Sequence, residues 1–428
     1  MQATFDLQAK AAEALELMRA AGFDDAQVTA GHTQLDELNV THNDPSLLRS
    51  TESYKLSLLG IVDGRVASTE TGDLSTPAMR ERIASLFDDA KTAPRDEANA
   101  VSSGQHARIT QGPPEGDRDL MATTVAQLLE FRARETPKMM IDEGAAMHTL
   151  RRWHTLTSGG SDLAAQVGCY SINAFGTARE GNKSSSFNYT GGDTDDLRSL
   201  PAHAFFGLEQ MLRETPRQIE TKPAGERFVG DVVLTPGAVG SLLGWLLGQL
   251  GDTQLISGSS LYREKVGQPI AAPLFTLRSR FDAPGVASIS SDAFRTPELT
   301  VVDQGRLNTL APTLYGSRKT GIAHVPTAGG WEILPGTTSL ADMVGSVKRG
   351  AIVGRLSMGN PAANGNFSGV IKNSFLIENG EAGTALAETM IAGNMAQMLL
   401  DIVAVSREVI DFGAQRLPWV RIANLHFS

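Results

Sequence analysis

His148 and His154 are the residues whose types and spacing first suggest chemistry, because two imidazoles can bind a metal ion. They stand six apart in a segment of alternating polar and apolar residues, and an even spacing along a strand places both side chains on one face. A hydrolytic zinc site also needs a third ligand and usually a glutamate that activates water. None of the eight histidines is followed by glutamate, and no third ligand stands near the pair. We therefore expect hydrogen-bonded or exposed strand histidines, with a metal-binding pair as the alternative.

Motifs for nucleophiles and cofactors are equally scarce. The sequence contains no G-x-S-x-G elbow, Walker loop or dinucleotide-binding fingerprint. Cys169 is the single cysteine, so no intrachain disulfide or multi-cysteine metal site can form, and a reducing compartment fits best. Its apolar neighbours predict a core or strand residue rather than a nucleophile. The glycine-rich segments 258–260, 324–332 and 359–369 are interpreted as turns between strands, with binding loops as the alternative.

Composition and charge narrow the class of protein further. The chain has 428 residues, 41% hydrophobic and 20% charged, which is typical of a globular protein with about two or three domains. A net charge of -10 provides no basic surface for nucleic acid or anionic membranes. The first twenty residues carry Asp6, Glu13 and Glu16 at helical spacing, without the basic start and apolar run of a secretion signal. We expect a cytoplasmic protein that binds neither nucleic acid nor membrane.

The longest uncharged stretch is 232–251, in which Gly240, Gly244 and Gly248 stand four apart. Pro236 and Gly237 end a short strand, so the helix that follows has about fourteen residues and rises about 21 Å, too short for a hydrocarbon core of about 30 Å. The helix is apolar nearly all round and is predicted to be buried. Each helical glycine costs up to about 1 kcal/mol relative to alanine, so the three suggest close approach by another backbone, either a sheet or a partner subunit.

The other elements are predicted from periodicity and turn residues. An amphipathic helix starts at Leu7 and ends at Gly22, and Asp63-Gly64 lies between two apolar runs as in a tight hairpin. Further hairpins are predicted at 303–305 and 379–380, separate strands at 26–30 and 37–42, and a helix that ends at Gly350. Segment 92–117 is rich in turn residues and is interpreted as a linker.

These elements predict an α+β fold, because the strands are joined by hairpins and the helices do not alternate with them regularly. We expect two domains with antiparallel or mixed sheets and packed helices. The N-terminal α+β domain covers 1–222 and the C-terminal domain covers 223–428. The second domain carries the buried glycine-rich helix against a sheet.

Several stretches carry a resemblance to a known family. They are "LTPGAVGSLLGWLLGQLGD", "GSSLYREKVGQ", "LYGSRKTGIAHVPTAGGWEILPG", "FSGVIKNSFLIENGE" with "ETMIAGNM", "LPWVRIANLHFS" and, in the N-terminal half, "DELNVTHND" and "LLGIVDGRVASTETGDLS". With them the chain resembles the TldD/PmbA family over nearly its whole length. The block from "FLIENGE" to "ETMIAGN" is the most specific part.

The resemblance implies where a zinc site would lie. Catalytic members of the family carry HExxxH on the helix that matches 238–251, and a cysteine before a glycine near the C-terminus completes the site. In this sequence Gly244 and Gln249 stand at the histidine positions and Trp245 at the glutamate position. Phe412, before Gly413, most nearly matches the cysteine. Glycine has no ligand atom, glutamine is a poor zinc ligand and tryptophan cannot act as a base, so we expect no catalytic or metal-binding residue here.

This pattern resembles the PmbA/TldE type, which lacks HExxxH. It implies a non-catalytic subunit of a TldD/TldE-type metallopeptidase complex that acts on unfolded or precursor peptides. Zinc is then expected only in a TldD-like catalytic partner. When the chain is alone, it is expected to form a homodimer. Tyr262, Arg263, His324 and Asn373 are candidates for contact with the peptide or the partner. The alternative is a stand-alone homodimeric member that has become a biosynthetic enzyme or a peptide-binding protein.

Overall fold

The computed structural model describes residues 6–428, and within them two β-sheets carry helices on their faces. Residues 1–5, part of the segment that we examined for a secretion signal, lie outside the described residues. The elements of the first half are α1 (Leu7–Ala21), β1 (Asp25–Thr41), β2 (Asp44–Val62), β3 (Arg65–Thr71), α2 (Thr76–Thr92), β4 (His106–Gln111), α3 (Arg118–Glu135), β5 (Met139–Thr157), β6 (Asp162–Glu180), β7 (Lys183–Ser184), β8 (Asn188–Thr194) and α4 (Leu208–Glu214), with short 3-10 helices at Ala202–Gly207 and Thr215–Gln218.

The second half continues the numbering. Its elements are β9 (Phe228–Leu234), α5 (Pro236–Leu250), α6 (Asp252–Ser257), β10 (Leu277–Ser279), β11 (Thr300–Asp303), β12 (Arg306–Leu307), α7 (Leu314–Thr320), β13 (Trp331–Ile333), α8 (Leu340–Gly345), β14 (Arg349–Val353), β15 (Arg355–Ser357), β16 (Asn366–Lys372), β17 (Phe375–Glu378), β18 (Glu381–Ala385), β19 (Thr389–Asn394), α9 (Met395–Leu400), β20 (Ile402–Asp411) and β21 (Gln415–Phe427).

The first sheet has the strand order β3-β2-β1-β5-β6-β4, with β7 and β8 also paired to β6. Its pairs are antiparallel except for the parallel pair of β4 and β6. α1 and α2 pack their apolar faces on this sheet around Met18, Leu56 and Leu86. The predicted end of α1 is confirmed, because Gly22 takes φ 97° and its N–H bonds to the last turn. The predicted hairpin is also confirmed, since Asp63-Gly64 joins β2 to β3.

The second sheet has the order β12-β11-β10-β13-β21-β9-β14-β17-β18, with β15, β16, β19 and β20 attached beside this path. It is mixed, because β9 and β14 are parallel whereas most other pairs are antiparallel. The hairpins predicted at 303–305 and 379–380 are confirmed by the pairs β11–β12 and β17–β18. The α+β class with mixed and antiparallel sheets is therefore confirmed.

Three local expectations differ from the structure. The helix predicted to end at Gly350 ends at Gly345, and Gly350 lies in β14, where a Cβ atom would clash with the backbone of Asp231 in β9. That glycine permits close pairing of strands rather than ending a helix. The separate strands predicted at 26–30 and 37–42 form one continuous strand, β1.

The segment 92–117 also contains more structure than a linker. It includes β4, which pairs in parallel with β6, and Asp96, whose carboxylate accepts from Lys319 of α7 at 2.9 Å. β4 alternates half-buried and exposed residues at the edge of its sheet, so it lacks the apolar run that would have revealed a strand. No helix within residues 6–428 has the length and hydropathy that a membrane crossing requires.

Candidate functional site

α5, the helix that the resemblance matches to the family's active-site helix, has a capped start and one apolar face. The Thr235 side chain accepts the Ala238 N–H at 3.4 Å, and Pro236 occupies the first turn, where its missing N–H costs nothing. Its buried face packs on β9 and β21 in the core of the second sheet. The buried leucines of this face are Leu242, Leu243, Leu246 and Leu250. The sheet therefore holds the helix rigidly along one side.

The glycine face of α5 is not covered by the sheet, the first of the two neighbours expected from the sequence. Gly244 and Gly248 are exposed, and a Cβ atom at either position would meet nothing within 4 Å. Gly240 has neighbours, but they are side-chain atoms of β21, with Gln415 Oε1 3.4 Å from the Cβ position. No backbone of this chain packs closely on the three glycines, so the sheet does not account for them and the partner subunit stays a prediction; within the chain, the helix is buried on one face. Apolar residues all round a helix cannot show which side the sheet covers.

The open face lines a cavity of about 670 Å³, which we call the helix cavity. Its walls are α5 on one side and the loop 356–363 on the other. Gly244, Trp245 and Gln249 all line it, so the structure brings together three of the four degenerate family positions. Phe412 lies in a different cavity, beside Thr235 and Gly237 at the start of α5.

The donor atoms of the helix cavity do not fit a zinc ion. Gln249 is buried, its Oε1 accepts the Leu261 N–H at 2.9 Å, and its Nε2 donates to the Ala363 carbonyl at 3.5 Å. Gly244 has no side chain, and the indole nitrogen of Trp245 can only donate. A zinc site requires nitrogen, sulfur or carboxylate ligands in tetrahedral geometry. The residues present therefore provide neither a ligand set nor a general base.

The two histidines of β5 are committed to local hydrogen bonds. His148 is buried and its Nε2 lies 2.9 Å from the Pro113 carbonyl, while His154 Nε2 lies 2.6 Å from Asp162 Oδ1. Within residues 6–428 no three His, Cys, Asp or Glu side chains group as a metal site. Cys169 is buried, and desolvation raises the pKa of its thiol to about 11, so the reactive thiolate is disfavoured.

The four residues proposed for peptide or partner contact lie in different places. Tyr262 is buried against Trp245, and Arg263 donates to the Leu255 carbonyl at 3.1 Å.

His324 and Asn373, the other two, also have local partners. His324 Nε2 lies 3.0 Å from Asp292 Oδ2. Asn373 takes φ 52° and donates to the Phe187 carbonyl at 3.1 Å. Of the four, Asn373 lines a cavity, the one that also contains Phe412.

Sequence reasoning missed a second concave region, between α4 and the hairpin formed by β20 and β21. We call it the α4 groove; its lining includes Gln210, Glu214, Ile410 and Trp419. Burial raises the pKa of the Glu214 carboxyl above its ordinary value, although a hydrogen bond from Gln210 acts in the opposite direction. The residues come from distant parts of the chain, so no local pattern could have revealed the groove.

The fold and the site define an α+β protein with two sheets, whose second sheet carries a buried helix with a cavity on its exposed face. Residues 228–428 match the family model described as the PmbA/TldA metallopeptidase C-terminal domain. These residues form a C-terminal domain of the metallopeptidase-related PmbA/TldD family.

Relatives extend the likeness over nearly the whole chain. The Metalloprotease PmbA of Escherichia coli O157:H7 is 24% identical over 444 aligned residues, which cover 94% of this chain and 92% of the relative. The crystal structure of TldE from Thermococcus kodakarensis matches with a TM-score of 0.83 at 19% identity and covers 98% of this chain and 100% of that chain. A solved structure from Bacteroides thetaiotaomicron matches with a TM-score of 0.85 at 20% identity and covers 98% of each chain. At these identities the structural matches establish the shared fold.

Proposed function

We propose that this protein is a non-catalytic subunit of a TldD/TldE-type metallopeptidase complex that acts on unfolded or precursor peptides. Its partner is a TldD-like chain that carries HExxxH and the zinc ion. The subunit forms a heterodimer with that chain, forms a homodimer when alone, and acts in the cytoplasm.

The observation that carries this proposal is the chemistry of the helix cavity. The helix that the resemblance matches to the family's active site is packed and capped, and it presents Gly244, Trp245 and a hydrogen-bonded Gln249 to the cavity. Removing a metal ligand and the water-activating base would each cost several kcal/mol of transition-state stabilisation. A chain that retains the fold without these groups can still bind peptide or pack against a catalytic partner.

The comparisons support the same assignment. One relative is named Metalloprotease PmbA, and a matching solved structure is named TldE, the type that the sequence resembled through its missing motif. An extended peptide can be held by main-chain hydrogen bonds alone, so a subunit without catalytic side chains can contribute to substrate binding.

Peptide cleavage by this chain, by a catalytic relative and by their mixture tests the proposal. We expect the mixture to cleave an unfolded peptide, and this chain alone to release no product. Light scattering of the same samples should show dimers. Metal-dependent cleavage by this chain alone would contradict the proposal, and so would a relative that is fully active without it.

A further inference from the structure

The cavity that contains Phe412 is also lined by Glu214, Tyr189 and Phe206, and we call it the Glu214 cavity. Its volume is about 250 Å³. Pockets for drug-sized ligands are larger, about 300–1,000 Å³, so this cavity has room for one side chain or one chain terminus. Among the described residues that line it, Glu214 is the one charged residue, and none is Lys, Arg or His. An ionised Glu214 therefore makes the cavity negative.

The Glu214 carboxyl has one oxygen left for a ligand. Gln210 Nε2 donates to its Oε1 at 3.0 Å. Its Oε2 accepts no hydrogen bond within residues 6–428 and is not sealed from solvent. The arginines nearest in sequence are engaged elsewhere, because Arg213 is ion-paired along α4 and Arg217 lies over the Phe375 ring at 4.1 Å. A carboxylate oxygen of this kind is a strong acceptor for a charged donor.

The other polar side chains of the wall are bonded within the chain. Their hydrogen bonds run from Asn188 Nδ2 to Thr215 Oγ1 (3.1 Å), from Thr190 Oγ1 to the Phe206 carbonyl (2.5 Å), from Thr235 Oγ1 to the Gly354 carbonyl (3.1 Å) and from Asn373 Nδ2 to the Phe187 carbonyl (3.1 Å). Glu214, with the Gln210 amide bonded to it, is therefore the polar group that remains for a ligand.

The rest of the wall is aromatic and aliphatic. Tyr189 is exposed whereas Phe206 and Met211 are buried, so the apolar wall reaches from the surface into the interior. Phe206 takes φ 53°, a left-handed conformation that is uncommon for a residue with a Cβ atom. Such backbone strain is frequent at ligand sites. Aromatic faces attract cations as well as aliphatic groups, so this wall suits a positively charged group on an apolar stem.

The start of α5 also borders the cavity, at Thr235 and Gly237. A helix N-terminus carries about half a positive charge, which opposes a cation. The Thr235 side chain accepts the Ala238 N–H and satisfies one of the donors at that end. The full charge of an ionised Glu214 is larger than the half charge of the helix, so the cavity as a whole favours a cation.

We propose that the Glu214 cavity binds a primary ammonium group on an aliphatic stem, with Glu214 accepting from the ammonium and the aromatic rings contacting the stem. The N-terminus of a peptide and a lysine side chain both carry this group. The inference rests on the proposed function in one respect, since that function makes a peptide the source of the ammonium group. The site is distinct from the helix cavity, because Glu214 does not line that cavity.

Three unstructured 12-residue peptides, each labelled with fluorescein at the C-terminus, test the proposal and separate the two sources. One has a free N-terminus and no lysine, the second is acetylated and has one internal lysine, and the third is acetylated without lysine. Fluorescence anisotropy with the full chain at pH 7.0 measures their affinities. One or both ammonium peptides should bind about tenfold to a hundredfold more tightly than the third, as expected for a hydrogen bond between charged groups. Tight binding of the first identifies the chain terminus, and of the second the lysine side chain.

A pair of small molecules tests the same chemistry without a peptide. At equal ionic strength, n-butylammonium should displace the bound ammonium peptide, whereas 1-butanol at the same concentration should not. The two compounds have the same four-carbon stem, so the difference between them measures the contribution of the charge.

Glu214→Gln is the decisive variant, because it keeps the shape of the side chain and removes its charge. The ammonium peptides should then bind no more tightly than the acetylated peptide without lysine. Glu209→Gln is the matched control, since Glu209 lies on the same helix and lines the α4 groove but not the Glu214 cavity. It should bind as the unaltered chain does. Circular dichroism verifies that both variants are folded.

The pH dependence gives a further measurement. Burial raises the pKa of the Glu214 carboxyl, and Arg217, which stays charged, acts in the opposite direction. Affinity for the lysine peptide should therefore increase from pH 5 to pH 7 as the carboxyl ionises, and this increase should be absent in Glu214→Gln. Histidine is the other side chain whose charge changes in this range, and His203 of the α4 groove lies 3.8 Å from Glu209. Glu209→Gln removes that pair and should retain the pH dependence.

The remaining charged groups of the α4 groove have partners of their own. Their contacts are Arg213 with Glu209 (2.7 Å), Asp411 with Arg280 (2.7 Å), Arg416 with Glu332 (2.9 Å) and Asp193 with the Ser171 hydroxyl (2.5 Å). We therefore assign the expected change in affinity to Glu214.

Three results would overturn the inference: equal affinities for the three peptides, tight binding of the ammonium peptides by Glu214→Gln, or an affinity for the lysine peptide that does not change between pH 5 and pH 7. None of these measurements includes a catalytic relative. The cleavage experiment asks whether that relative needs this chain, so the two proposals can fail separately.

Discussion

The indole ring of Trp245 and the phenol ring of Tyr262 meet edge to face, with centroids 6.0 Å apart and planes at 79°. The Tyr262 hydroxyl is buried without a hydrogen-bond partner within residues 6–428, and desolvation raises its pKa above the ordinary value. Such aromatic pairs contribute about 0.5–1.5 kcal/mol beyond burial. Trp245, which the resemblance matches to the family's glutamate, is therefore part of the packing beside the helix cavity and contributes to the stability of the fold there.

The purified chain should contain no stoichiometric zinc, because the side chains of the helix cavity offer no ligand set and the two histidines of β5 have local partners. Elemental analysis of protein purified without chelator measures the metal content. The contrary result is one tightly bound zinc per chain that is lost in His148→Ala or His154→Ala.

Turns were the part of the fold that could be predicted most directly from sequence. Asp63-Gly64 and Asn379-Gly380 join hairpins because all four residues take the positive φ that such turns require. That requirement is local, so the residue pair reveals it. Gly350 shows where such local prediction fails, because a glycine can either end a helix or let two strands pair closely. Which role Gly350 has depends on β9, which is distant in sequence.

The candidate site was predictable only in part, because it also depends on contacts between residues that are distant in sequence. The resemblance assigned Gly244, Trp245, Gln249 and Phe412 to the family's zinc site, which stays a prediction; the structure places the first three in one cavity and Phe412 in another. The open face of α5 and the α4 groove depend on which surfaces neighbouring elements cover. Apolar residues on every side of a helix do not show which side will be covered. The lining of the groove comes from α4 and from the hairpin of β20 and β21, which are distant in sequence.

Gly244→Ala should stabilise the chain by about 0.5–1 kcal/mol, because the position is helical and exposed and the new methyl group meets nothing within 4 Å. Urea unfolding measures the change. Gly350→Ala is the control and should be destabilising, because its Cβ would clash with Asp231. If Gly244→Ala instead dissociates a dimer in light scattering, the glycine face is a subunit contact and the expected gain does not apply.

Glu214→Gln should stabilise the chain at pH 8 more than at pH 4. Burial raises the folded-state pKa of Glu214 above that of the unfolded chain. Stability from the protonated carboxyl is therefore fully present below the unfolded pKa and is lost as pH rises through the folded pKa. The neutral amide avoids that loss, and each unit of pKa elevation corresponds to about 1.4 kcal/mol.

Urea unfolding of the unaltered chain and of Glu214→Gln at pH 4 and pH 8 measures the difference in their free energies of unfolding. Glu220→Gln is the control, because an exposed ion pair with Lys183 lowers the pKa of Glu220, and its replacement should bring no gain at pH 8. An equal change in the free energy of unfolding at both pH values would show that the pKa of the Glu214 carboxyl is not raised in the folded chain.

Restoring the family motif on α5 should not restore a zinc site. In the variant Gly244→His, Trp245→Glu, Gln249→His, the family's spacing of five residues places the two imidazoles about 140° apart as long as α5 stays a regular helix, so zinc binding through both would require the helix to distort. The structure agrees, because Gly244 is exposed whereas Gln249 is buried and bonded to Leu261. Phe412, at the position of the third ligand, lies in another cavity.

The matched comparison is Gly244→His with Gly248→His, where both positions are exposed and a spacing of four places the imidazoles on one helix face. Competition with a colorimetric chelator should show tighter zinc binding by this pair than by the restored motif, and no cleavage of an unfolded peptide by either. Stoichiometric zinc and peptide cleavage in the restored variant would mean that the helix rearranges around the metal. The proposed lack of catalysis would then depend on these three side chains alone, and not also on the path of the helix or the placement of Phe412.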